Sequence, residues 1–125
     1  MTDDYPVEIR RIVARIEPDW PQIIEVGPGW YSLLGRLDEK LRVIAPSYVV
    51  QQVKAKFGSL SFFARASSDP YDYNDELHEI IRAAEWESIE ICEECGAPAR
   101  TYVINLWVWT VCERHAQEKR ETKGH

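Results

Sequence analysis

The chain has 125 residues, 45% of them hydrophobic and 29% charged, and a net charge of −6. That length supports one compact core and excludes two full-sized domains. The acidic total disfavours a general nucleic-acid binder, whose surface must attract phosphates, and no apolar run approaches the roughly 20 residues that cross a bilayer.

At the start, Met1-Thr2-Asp3-Asp4 is acidic where a secretory leader is basic and then apolar, so a cytoplasmic location is expected. Asp4 is placed to cap a first helix, with Pro6 tolerated in its opening turn. Ile9, Ile12, Val13 and Ile16 then recur at helical spacing until Pro18 stops the run. Ile23, Ile24 and Val26, between Pro21 and Gly27, predict a brief strand, and Gly27-Pro28-Gly29 predicts a turn. Trp30, Leu33, Leu34, Leu37 and Leu41 fall on one face of a helix ending near Arg42.

Tyr48 to Ala66 reads as a β-hairpin turning at Gly58-Ser59, which pairs Phe57 with Leu60, Ala55 with Phe62 and Val53 with Ala64 on one face. The opposite face carries Gln52, Lys54, Lys56, Ser61, Phe63 and Arg65, a basic surface with one aromatic. Beyond the loop Ser67-Ser68-Asp69-Pro70, a third helix is expected from Asn74 to Ser88, burying Leu77, Ile80, Ile81 and Ala84. Trp86 lies opposite that stripe and must be exposed or packed against the cysteine-bearing C-terminal segment, and His78 is expected to be solvated. Between Asp69 and Glu94 ten acids face Arg82 alone, a local charge of −9 that leaves the remainder of the chain at +3.

The three cysteines are an odd number gathered near the C-terminus, which argues against a disulfide framework. Cys92-Glu93-Glu94-Cys95-Gly96 has the two-residue spacing that turns both thiolates onto one metal, and Gly96 relieves the backbone where amides fold toward sulfur. Cys112-Glu113-Arg114-His115 repeats the separation. Between the pairs, Thr101 to Ile104 and Trp107 to Val111 are β-branched and aromatic, as expected of a hairpin turning at Asn105-Leu106 that returns Cys112 to the first pair. A closed set of these four ligands predicts one structural zinc ion in a treble-clef-like finger.

The expected fold is therefore α+β: a small antiparallel sheet covered by helices over residues 1–90, a C-terminal treble-clef-like zinc finger over 91–118, and a flexible tail over 119–125. The pattern of Gly29-Trp30, the hairpin from Val53 to Phe62, Cys92 to Gly96 and Cys112 to His115 resembles a family of small bacterial and phage proteins. This chain departs from it in having Ser59, Ser61 and Phe63 where relatives often carry Gly, Arg and Tyr. The resemblance implies an immunity role beside a polymorphic toxin.

The sequence contains no nucleophile and base at informative spacing and no phosphate-cradling glycine loop, and the acids Asp69, Asp72 and Asp75 lack the glycine and closing glutamate of a calcium loop. The expectation is a non-enzymatic protein that binds a toxin with a basic surface through Asp72, Asp75, Glu76, Glu79 and Trp86. The alternative is a nucleic-acid-binding regulator using Lys54, Lys56, Phe63 and Arg65. Trp107 and Trp109 are expected to seal the finger onto its neighbour in preference to forming a free patch.

Overall fold

A computed structural model describes residues 5–121, so the expected Asp4 cap and residues 122–125 of the expected tail lie outside the described residues. The fold is α+β, with helices α1 (Val7–Val13), α2 (Tyr31–Ile44), α3 (Asp75–Ser88) and α4 (Glu113–Glu121). Two antiparallel hairpins accompany them, β1 (Val49–Lys56) with β2 (Ser59–Arg65) and β3 (Arg100–Ile104) with β4 (Trp107–Val111). Among the described residues no helix is long and apolar enough to cross a membrane.

The main core forms where α1, α2 and α3 pack around the first hairpin. It contains Ile9, Ile12, Trp30, Leu34, Leu41, Val50, Val53, Leu60 and Leu77, all of them buried. A smaller apolar cluster of Cys92, Ile104, Val111 and Ala116 lies under α4, with Tyr102 and Trp109 packed against it. At α3 the Asn74 side chain accepts the Leu77 amide at 3.0 Å, an N-cap that satisfies one otherwise orphaned donor.

α1 stops at Val13, short of the expected Ile16, because the outer edge of β1 captures the chain. The Val50 amide donates to the Arg15 carbonyl and the Glu17 amide donates to the Val50 carbonyl, each at 2.9 Å. The segment expected as a strand near Ile24 likewise makes a single parallel bridge, in which the Glu25 amide donates to Val53 at 2.9 Å. The pairing goes no further because the next amide in register, that of Gly27, donates to Glu93 Oε2 instead (2.9 Å).

The first hairpin turns one residue earlier than expected. Lys56 pairs with Ser59, Ala55 with Leu60 and Val53 with Phe62, so Phe57 and Gly58 are the turn residues. Both have positive φ, 52° and 82°, the requirement of a type I′ turn whose twist matches the strands. The apolar face survives this correction except at Phe57, which points into solvent with 80% of its surface exposed. An irregularity between Val50 and Gln52 then returns Val50 to the buried face opposite Ala64. Phe57 tolerates a left-handed backbone that costs a side-chain-bearing residue roughly 1–2 kcal/mol. The second hairpin turns at Asn105-Leu106 as expected, again with positive φ at both positions (51° and 70°).

α4 extends to Glu121, where the sequence suggested a frayed tail from residue 119. Lys119 Nζ stands 3.6 Å from the Trp109 ring centroid and the Arg120 guanidinium 5.2 Å from that of Tyr102, so aromatic faces hold the last turn down.

The most buried charge in the main core is Asp38, 1% exposed. It accepts the Tyr48 hydroxyl, accepts Arg42 Nε at 3.0 Å and lies 3.8 Å from Arg15 Nε, while the Arg15 guanidinium covers the Tyr48 ring at 4.2 Å. Burial first, and the Asp38 hydrogen bond second, push the Tyr48 phenol above its ordinary range, so it remains a donor at physiological pH. Removing one member of a buried, bonded set strands the others. Asp38→Ala is expected to lower unfolding free energy by roughly 3 kcal/mol, and Tyr48→Phe by about 1 kcal/mol, in denaturant titration.

Candidate metal centre

Local backbone chemistry prepares the four candidate ligands. After Cys92 the chain makes a tight turn in which the Gly96 amide donates to the Cys92 carbonyl and the Cys92 amide to the Ala97 carbonyl, each at 2.8 Å. Gly96 takes φ +83°, which needs a residue without Cβ. The β3–β4 hairpin carries the chain back so that Cys112 immediately precedes α4 and His115 sits in its first turn. The ligand atoms of Cys92, Cys95, Cys112 and His115 lie within 4.8 Å of one another.

The distances suit a small ion. Cys95 Sγ lies 3.8 Å from Cys112 Sγ, and His115 Nδ1 lies 3.5 Å from Cys92 Sγ and 3.2 Å from Cys112 Sγ. A tetrahedral ion with roughly 2.3 Å bonds to sulfur separates its sulfur ligands by about 3.8 Å. Backbone amides also point at the sulfurs. The Cys112 thiol is pulled down chiefly by the His115 amide, while at Cys95 the Ala97 amide is outweighed by desolvation and by the neighbouring thiols, which push it up. Crowded sulfurs with amides around them form a site in which a cation relieves mutual repulsion. The Cys3His cluster is therefore positioned to hold a metal ion through Nδ1 of His115, with Glu118 Oε1 3.9 Å from the other ring nitrogen as an outer partner.

The seat of this centre is Gly27-Pro28-Gly29 with the adjoining Trp30, which the sequence marked as a turn and the first apolar position of a helix. The Gly29 amide donates to the Glu93 carbonyl at 2.7 Å, and buried Trp30 donates its indole N–H to the Ile91 carbonyl at 2.8 Å. A Cβ on Gly29 meets the Cys92 carbonyl oxygen well inside contact distance, and the Gly96 and Cys95 amide nitrogens at 2.6 and 2.7 Å. The ligand turn thus lies directly on backbone. Periodicity cannot reveal this role, because the contact joins residues more than sixty positions apart.

The side chains expected to bind a partner are exposed on and before α3: Asp72, Asp75, Glu76, Glu79 and Trp86. Asp75, Glu79 and Trp86 fall near one stripe of the helix at ~100° per residue, whereas Asp72 lies ahead of its first turn. Trp86 is 70% exposed and flanks a shallow depression with Phe57, Arg82 and Ile89, away from the metal ligands. Asp75 and Glu76 also sit in the first turn of α3, where their charge favours the helix. His78, expected to be solvated, is half-buried and stacks on Tyr73 at 4.9 Å.

On the basic face of the first hairpin, Arg65 donates to both oxygens of Glu17 at 2.9 Å, leaving Lys54 and Lys56 to carry that surface. The two tryptophans of β4 divide: Trp109 packs under Lys119, and Trp107 is 65% exposed.

Because the ligand turn rests on Gly29, Gly29→Ala is expected to destabilise the fold by about 1–3 kcal/mol. It should also speed loss of bound metal to a chelator, followed by thiol reactivity. Ser32→Ala, at an exposed position nearby, should do neither. Comparison of the chain with protein-family models, curated proteins and solved structures found no match.

Proposed function

We propose that the chain is a non-enzymatic protein-binding protein whose treble-clef-like finger holds one structural zinc ion, and that it acts as an immunity protein. It would occlude the basic active surface of a toxin with the acidic face of α3. The donor set supports zinc: three thiolates and one imidazole on a tetrahedral frame suit that ion best, and four protein ligands leave no place for a reactive water. The order of ligand turn, hairpin and helix start supports the treble-clef reading.

The observation that carries the binding role is how the acids between Asp69 and Glu94 divide. Glu85 accepts the Phe62 amide, Glu87 pairs with Arg36, Glu93 accepts the Gly27 amide and Glu94 pairs with Lys119. Asp69 accepts the Tyr71 amide. Asp72, Asp75, Glu76 and Glu79, with Glu90 at the far end of the stretch, remain exposed with no side-chain partner among the described residues; the four at the front of α3 outnumber Arg82, the single base on their stripe, and so leave net negative charge beside an exposed tryptophan. Such a patch favours a basic protein and steers its approach, and Trp86 offers the large rigid contact that anchors interfaces.

Two measurements test this. Purified, tag-free protein should contain about one equivalent of zinc per chain, and a chelator should lower its melting temperature; a metal content near zero with unchanged melting removes the finger. Where a toxin domain is encoded beside the gene, co-expression of this chain with it should rescue growth. Charge reversal at Glu76 and Glu79 together should weaken that rescue, most at low ionic strength, while leaving melting unchanged. Undiminished rescue rejects the α3 surface.

A further inference from the structure

The outer edges of the two hairpins can be followed group by group. In an antiparallel pair, the N–H and C=O of one residue point to the same side, and the side alternates along the strand. Thr110 turns outward, because its carbonyl accepts the Glu93 amide at 3.0 Å, and its hydroxyl lies 3.2 Å from that of Thr101, as in the closer, non-bonded type of pair. Val108, two residues back, therefore also turns its N–H and C=O away from β3, and among the described residues neither has a backbone partner outside the hairpin. On β1 the pairing with the Glu25 segment ends once Gly27 donates to Glu93, leaving the Ala55 carbonyl facing the same space. That space is a groove of about 760 Å³ between the hairpin tips, lined by Ala55, Phe57, Leu106, Trp107, Val108 and Trp109, with Glu25, Glu93 and Lys56 as its charged members.

The lips of the groove are the second observation. Phe57 and Leu106 are 80% and 95% exposed, so neither serves the core, and both occupy positive-φ turn positions where Gly or Asn is the less strained choice. Folding alone disfavours both residues. Local strain carried by large exposed apolar groups at the rim of a groove with an unpaired strand edge is the arrangement expected of a recognition site.

We propose that this groove binds an extended segment of a partner protein, which adds a strand to the free edge of β4 at Val108. Its alternate apolar side chains rest against Phe57, Leu106 and Trp107, and a basic side chain reaches Glu25 and Glu93. The inference rests on the protein-binding reading above and adds a second contact region, continuous with Trp86 through Phe57, which borders both depressions. The acids outnumber Lys56 on the lining, which selects a basic occupant over an acidic one.

The probe is a displayed library of random seven-residue peptides, panned against the metal-loaded full chain. Enriched peptides should alternate apolar residues and include Lys or Arg. N-methylation at every second peptide amide should abolish binding while methylation at the intervening ones is tolerated, and the Val108 amide should exchange hydrogen at least tenfold more slowly in the complex. The double variant Phe57→Asn with Leu106→Gly relieves the strained turns, so its melting temperature should hold or rise while peptide affinity falls at least tenfold. Equal enrichment on that variant, or no enrichment on the native chain, overturns the groove. A concentration-dependent dimer that the variant abolishes also overturns it, with a second copy as the occupant. Toxin rescue separates the two proposals: rescue lost on charge reversal in α3 but kept in the double variant leaves the α3 surface and rejects the groove, rescue insensitive to α3 but lost with peptide binding in the double variant leaves the groove and rejects the α3 surface, and absence of rescue with peptide binding intact leaves the groove and rejects the immunity reading.

Discussion

The ligand turn from Cys92 to Gly96 lies on Gly29 backbone to backbone, with the Glu93 carboxylate accepting the Gly27 amide beside it, and the rest of the molecule is arranged around that contact. Backbone on backbone is a short-range, unforgiving arrangement. It places the Gly29 amide on the Glu93 carbonyl and the Trp30 indole on the Ile91 carbonyl, so the order of the Cys/His cluster and the order of the main core are coupled through a few hydrogen bonds. The same contact ends the parallel pairing beside β1, since Gly27 cannot donate both to Ala55 and to Glu93.

A second junction seats the tip of the first hairpin on the side of the second. Gly58 sits against Val108, Thr110 and Thr101, and the buried Thr110 hydroxyl donates to the Gly58 carbonyl. α3 finishes the opposite edge of the first hairpin: Ser88 Oγ and Glu85 Oε2 accept the outward Leu60 and Phe62 amides, both at 2.9 Å. These polar side chains do for β2 what a further strand would otherwise do. With that edge closed, the unpaired backbone collects between the tips, and the two short sheets leave an opening shaped by what they lack.

Charge follows the same division between structure and surface. Some acids of the dense stretch are structural, holding an arginine, a lysine or a backbone amide, whereas those at the front of α3 face water. The net count of −9 therefore overstates the field available to a partner and understates its localisation. On the basic hairpin face the reverse holds, because Glu17 occupies Arg65.

Much of this was legible in the residues. Apolar periodicity located α2 and α3 and the hairpins, since a helix or strand that buries one face must repeat its apolar residues at that element's own period. The matched Cys-x-x-Cys and Cys-x-x-His spacings located the ligand cluster, since spacing within a turn is set by local covalent geometry. The turn at Phe57 was misplaced by one residue because Gly58 fits either reading, and a two-residue I′ turn there requires φ > 0 at a phenylalanine, which propensity argues against. The chain near Ile16 and Ile24 reads as helix or strand by its apolar residues, yet its hydrogen bonds go wherever the β1 edge and Glu93 take them.

By itself, then, the sequence determined the element types, the apolar faces and the ligand set, because each depends on residues within a turn or two of one another. Tertiary structure alone decided that Gly29 carries the ligand turn, which acids stay free, and that an unpaired edge opens between Phe57 and Leu106. Those outcomes depend on which distant backbone groups compete for the same partner, and one-dimensional patterns carry no record of that competition.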